Sequence, residues 1–157
     1  MKDSTKQKIR YLGVILFVIY VVALIYFLFF SEEYGRVASQ TDMYRYNLRP
    51  FREIARFLTY RSQLGWFAVV ANLLGNVVGF VPYGFILPII MHRFRSCLVI
   101  ILSGFALSLL VECVQLVTKV GCFDVDDLIL NTAGVALGYM LFVICNHFRR
   151  KHYGEKI

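Results

Sequence analysis

Four acidic side chains and two amides cluster along one stretch of this chain. Glu112 and Gln115 lie one helical turn apart inside the apolar run 98–117, and Asp124, Asp126, Asp127 and Asn131 follow directly. An ionisable group within a membrane-spanning helix costs a few kcal/mol and is normally kept for a partner or a task. Three chemistries suit such a group. Carboxylates can hold a hard cation such as Mg²⁺ or Ca²⁺ through oxygen. They can pair bidentately with arginine and stay charged in a partly buried mouth. Glu112 could also act as a base in the metal- or carboxylate-assisted hydrolysis of a lipid phosphate. Asp126 or Asp127 has a plainer explanation as N-cap of the helix that follows, but a cap does not account for Asp124 or for Glu112. Pairing with Arg49, Arg52 and Arg56 is preferred to a metal, because the arginines need partners and no ligand spacing is distinctive. No metal and no cofactor is therefore expected.

The elements that must position these residues follow from composition. The chain has 157 residues, is 59% hydrophobic and 16% aromatic, and has a mean hydropathy of +0.64. These values place it among integral membrane proteins. Each crossing needs about 20 apolar residues, and four segments qualify, over 11–30, 66–90, 97–117 and 128–146. The expected fold is all-α, a single membrane domain over 1–157 with four transmembrane helices. The first segment is read as a retained anchor: its apolar run is about twice a usual signal core, and no small-residue cleavage site stands near Glu32 and Glu33. Basic residues set the orientation. With the N-terminus inside, ten Lys/Arg fall on cytoplasmic pieces against seven outside, and the net charges are +8 inside and zero outside. Both termini are thus expected inside. The basic balance reflects orientation and gives no reason to expect a nucleic-acid ligand. His92, His147 and His152 fall on the cytoplasmic side, away from the acidic group. The four cysteines show no metal spacing and no evident disulfide pair.

The first outer loop, 31–65, contains Asn47-Leu-Arg-Pro-Phe51, which reads as the opening of a short amphipathic helix with Pro50 in its first turn. Phe51, Ile54, Ala55 and Leu58 share one face, and Arg52 and Arg56 share another. Such a helix can lie in the outer interface with its arginines level with lipid phosphates, or can close over the bundle mouth. Gly75, Gly79, Gly104, Ser108, Gly134 and Gly138 suit close helix packing where lipid supplies no hydrophobic drive. Pro82 should bend or break the second span, and Pro88 should mark its inner end.

Depth gathers the polar residues on one side. At about 1.5 Å per residue, Glu112 lies roughly 8 Å below the outer end of its helix, and Asn72 and Asn76 lie roughly 9 to 15 Å deep. Asn131 is at a similar depth to Glu112 or shallower, and the 124–127 turn sits above. The natural inference is an outward-opening polar pocket lined by Asn72, Asn76, Glu112, Gln115, Asp124, Asp127 and Asn131, with Arg52 and Arg56 at its rim.

One pattern of residues adds a resemblance. Asn47-Leu-Arg-Pro-Phe51 is followed by Asn72, then Asn76-x-x-x-Phe80-x-Pro82-x-Gly84, then Glu112-x-x-Gln115. Asp124-x-x-Asp127-x-x-x-Asn131-x-x-Gly134-x-x-x-Gly138 completes it. In order and spacing this resembles the VanZ-like family of teicoplanin-resistance-type small membrane proteins, over about residues 44–146. Two positions depart: many members carry an apolar residue where Arg49 stands, and a basic or small polar one near Cys122. The resemblance implies a multi-pass protein of the bacterial plasma membrane and, for some members, reduced susceptibility to lipoglycopeptides. The expected partner is a membrane lipid, a lipid-linked cell-wall precursor or a lipoglycopeptide bound in the outward pocket, and self-association into a homo-oligomer is left open. Two alternatives stand beside that reading: a membrane hydrolase or transferase acting on a lipid phosphate, and a structural partner in an envelope complex.

Overall fold

The computed structural model describes residues 3–30 and 44–153. The outer-loop charges Glu32, Glu33, Arg36 and Asp42, and Lys2, Glu155 and Lys156 at the ends, lie outside the described residues. Six helices, two short strands and one 3₁₀ turn are present among the described residues. Helix α1 spans Asp3–Phe29; strand β1 (Tyr46–Asn47), helix α2 (Arg52–Thr59) and the single turn α3 (Arg61–Leu64) precede α4 (Trp66–Ile90). A 3₁₀ turn, His92–Arg95, leads into α5 (Cys97–Thr118), then β2 (Phe123–Asp124) and α6 (Val125–Tyr153). Helices α1, α4, α5 and α6 each contain a stretch long and apolar enough to cross a membrane. Their outward faces carry large apolar side chains such as Phe67, Leu98 and Val117, as lipid-facing helices do.

The bundle is built around α4 and α6. Phe80 and Leu87 of α4 pack with Ile100 of α5 and Val135 of α6 in the buried core. At this crossing the backbones touch. A Cβ on Gly84 would overlap the carbonyl oxygen of Val135, and one on Gly134 or Gly138 would overlap that of Val77 or Val81. Only glycine permits such an approach. Close packing was expected at Gly134 and Gly138, and at Gly104, which presses on the Val135 side chain. It was also expected at Gly79, where a Cβ would meet Leu24 at an ordinary 3.9 Å. The partner face on α4 is instead marked by Gly84.

Two further expectations change. Of the bend or break expected at Pro82 the break does not occur, since α4 runs continuously through Pro82 and Pro88 to Ile90. Next to the carbonyl that Pro82 frees, the Gly79 carbonyl accepts a hydrogen bond from Tyr20 Oη of α1 at 3.0 Å. That bond helps moor α1, whose middle is otherwise largely exposed, and so does the buried Gln115, whose Nε2 donates to the Leu28 carbonyl at 2.8 Å. The outer helix also begins later than expected. Asn47 lies in β1 and pairs in parallel with Asp124 of β2. Phe51 takes the left-handed conformation at φ 64° as the residue before α2. The Asn-Leu-Arg-Pro-Phe segment is therefore a strand and turn that delivers the chain to a helix starting at Arg52.

Candidate functional site

The polar residues come together where β1 and β2 meet above the bundle. Glu112 is 1% exposed, and its Oε2 accepts the backbone N–H of Asp124 at 2.9 Å. Asp124 immediately precedes α6, and its Oδ1 accepts the N–H of Asp126 at 2.8 Å, the geometry of an N-cap. The same oxygen accepts Asn47 Nδ2 at 3.1 Å, which joins the two strands through their side chains. The cap of α6 is thus Asp124, where Asp126 or Asp127 was expected.

Asp126 caps a different helix. Its carboxylate accepts the backbone N–H groups of Glu53 at 2.8 Å and Ile54 at 3.1 Å, and that of Phe51 as well. These are donors at the start of α2 that have no partner within the helix. A carboxylate there also faces the positive end of the helix dipole. Asp126 is 1% exposed, so α2 is fixed to the top of α6 by a buried anion. The left-handed turn at Phe51 accompanies an arrangement in which its own N–H and those of Glu53 and Ile54 all meet that carboxylate.

The expected pairing of Asp124 and Asp126 with the arginines is not how the structure meets these charges. Backbone amides and Asn47 serve them instead. Arg56 turns to Glu53 of its own helix, 2.7 Å away, and lies over the Phe57 ring. Arg49 and Arg52 are exposed. The physical reason is geometric: the start of α2 presents several N–H donors in a fixed fan. A guanidinium would have to be ordered to compete with them.

Asp127 points to α4, where it accepts a hydrogen bond from Asn76 Nδ2. Both residues are half-buried, as is Asn72. Deeper in the bundle, Asn131 Nδ2 donates to Ser108 Oγ at 2.9 Å, and Gln115 turns to the end of α1. Gln115, Asp124 and Asn131 are each 7% exposed or less. The structure therefore divides the sequence-predicted set. Glu112, Gln115, Asp124 and Asn131 are buried, whereas Asn72, Asn76 and Asp127 are half-buried and Arg52 and Arg56 are exposed.

Burial raises the Asp124 carboxyl above the usual aspartate value; the N–H of Asp126 and the amide of Asn47 work against this, while Asp126 and Glu53 add to it. Cys122 beside it is likewise pushed up, by burial and then by the charge of Asp124. Its thiol is correspondingly poor as a nucleophile at neutral pH.

Sequence reasoning missed the roles of Asn47 and Asp126. Asn47 reads in the sequence as part of a helix opening, although an Asn five residues before a helix is as much a turn residue. The signal for Asp126 was the surplus of acids at the start of α6, more than one cap can use.

An apolar groove of about 330 Å³ adjoins this mouth, between α1 and α4. Its walls include Tyr20, Leu24, Phe27 and Pro82, and Asn76 stands in its lining.

Comparison with known proteins adds the following. The VanZ/LLP1 family model matches residues 17–146. Protein VanZ of Enterococcus faecium is 28% identical over 148 residues, covering 90% of this chain and 77% of that protein. No solved structure matches the chain.

Proposed function

Because the chain belongs to the VanZ/LLP1 family, shown by its match over residues 17–146, we propose that this multi-pass membrane protein binds an amphiphilic envelope ligand at the mouth beneath α2. The ligand is a lipid-linked cell-wall precursor or a lipoglycopeptide of the teicoplanin kind. The protein sits in the bacterial plasma membrane with both termini inside, as the excess of basic residues at that end favours. The apolar face of the short helix α2 lies in the outer interface.

One observation carries this reading: Asn76 belongs at once to the polar mouth, through Asp127, and to the apolar groove between α1 and α4. A ligand with a charged head and a hydrocarbon tail fits such a junction. The head would meet Arg52 and Arg56 as phosphate or carboxylate, with Asn72, Asn76 and Asp127 bonding its hydroxyls or amides. The tail would lie along the groove. Glu112, Gln115, Asp124 and Asn131 act here as positioning residues, holding the mouth open at a fixed width.

The test is saturable binding of teicoplanin and of a purified lipid-linked precursor to detergent-solubilised protein. Arg52→Gln combined with Arg56→Gln should weaken it about tenfold, a change of about 1.4 kcal/mol. If neither probe binds the wild-type protein saturably, the reading fails.

A further inference from the structure

Gly75 and Gly79 of α4 have the spacing of a helix-packing pair, but Gly79 does not serve that purpose. A Cβ there would meet the Leu24 side chain at 3.9 Å, where one on Gly84, Gly134 or Gly138 would overlap a backbone carbonyl. Both Gly75 and Gly79 line the apolar groove between α1 and α4 instead. Their missing side chains leave room in it.

The groove has two unlike ends. Its α1 wall runs from Tyr20 to Leu28, roughly 12 Å at 1.5 Å per residue. One end is polar and joins the mouth, because Asn76 both lines the groove and donates to Asp127. At the other end stand Tyr20 and Pro82. Tyr20 Oη donates to the Gly79 carbonyl at 3.0 Å, so its ring reaches across from α1 to α4. Phe17 packs beside that ring, with centres 5.8 Å apart, and Tyr83 lies 6.1 Å from Phe17. Aromatic rings, tied by a hydrogen bond, therefore floor the groove.

These dimensions narrow the occupant. A methylene takes about the volume of a water molecule, roughly 30 Å³, so a groove of about 330 Å³ suits one chain of about ten carbons. An extended chain of that size, with bonds of about 1.5 Å foreshortened by their zigzag, also spans roughly 12 Å. Two chains side by side exceed the space. The lining lies within the apolar spans Gln7–Phe29 and Val69–Ile90, where hydrocarbon surrounds it. Burial there brings a chain no hydrophobic gain over lipid, so fit decides what stays. At the mouth, the exposed Arg52 offers positive charge to an anionic head.

We propose that the groove is a length-selective slot for the single acyl chain, about ten carbons long, of an anionic amphiphile. Gly79 keeps the slot open and Tyr20 sets its depth. The slot refines the ligand site proposed above and depends on it for the head group.

The experiment uses full-length protein in phosphatidylcholine nanodiscs, titrated with hexyl, decyl and hexadecyl phosphate, with uptake by protein-free nanodiscs subtracted. Wild-type protein should bind decyl phosphate about tenfold more tightly than the other two. Gly79→Leu fills the slot and should bring decyl phosphate down to the hexyl level, with the wild-type melting midpoint. Tyr20→Ala removes the floor and should move the optimum to hexadecyl phosphate, whereas a variant that had merely lost its fold would bind all three worse. Arg52→Gln with Arg56→Gln should weaken the three alike, so the head site is read from the overall level and the slot from the length profile. A flat profile in wild-type protein, or no saturable binding of any of the three, overturns the slot; binding of teicoplanin decides the head site separately. A wild-type profile in Gly79→Leu also overturns it, since the chain then lies elsewhere. So does a collapsed melting midpoint in that variant, which would make Gly79 a packing contact. An optimum that stays at decyl phosphate in Tyr20→Ala contradicts the floor.

Discussion

The α4–α6 crossing and the acidic turn above it hold the same bundle together in opposite ways. At the crossing, Gly84, Gly134 and Gly138 let backbone meet backbone. At the turn, carboxylates are shared among the backbone amides of separate segments. Glu112 of α5 holds β2, Asp124 holds β1 and the start of α6, and Asp126 holds α2. Steric locking fixes where the spans meet, and hydrogen-bond locking fixes what sits over them. In hydrocarbon the first needs only glycine where the two backbones meet. The second is costly unless each polar group is satisfied, which explains why so many acids occur together here.

This contrast is open to direct attack. The largest effect is expected at the crossing. Gly138→Leu should cost about 3 kcal/mol or prevent assembly, because a side chain there displaces the α4 backbone; thermal unfolding in detergent measures it, and a wild-type midpoint would mean that the helices can slide apart freely. At the turn, Glu112→Leu should cost about 2 kcal/mol by stranding the buried Asp124 amide. Glu112→Gln retains an acceptor oxygen and should lie close to wild type. Equal losses for the two would show that the charge of Glu112 matters, rather than its hydrogen bond.

A smaller change is expected at the surface of α2. Arg52→Gln and Arg56→Gln should alter stability by less than about 0.5 kcal/mol, since both side chains are exposed. Their effect should appear in ligand binding alone. The smallest effect concerns pH. The Asp124 pKa is raised above 3.8, so the folded state binds the proton more tightly than the unfolded state. Stability should therefore fall as pH rises from 3.8 through that raised value, then level off. Asp124→Asn should remove this slope. A slope of the opposite sign in wild-type protein, rising with pH and absent from the variant, would mean that the amides around Asp124 outweigh its burial.

The sequence shows some of this plainly and hides the rest for identifiable reasons. The four spans are legible because apolar runs of such length have few other uses. Gly134 and Gly138 are legible from their spacing. Gly84 is harder, because the α4 partner of a crossing depends on relative rotation and Gly75 and Gly79 offered an equally good pattern. The gathering of Glu112, Asp124 and Asn131 follows from depth along the helices. Their partners do not, since backbone amides carry no mark in a sequence. For that reason Arg49, Arg52 and Arg56 appeared to be the counterions, while the amides of Glu53 and Ile54 take Asp126. The β1–β2 pairing escaped notice because two residues are too few to show alternation.

At the centre of this account, Asp126 holds the arginine-bearing helix over the mouth. Hydrogen exchange at the amides of Glu53 and Ile54, compared between wild type and Asp126→Ala, tests it most directly. Both amides should be protected in the wild-type protein and exchange much faster in the variant, with α4 and α6 unchanged. Equal protection of Glu53 and Ile54 in the two proteins would contradict it.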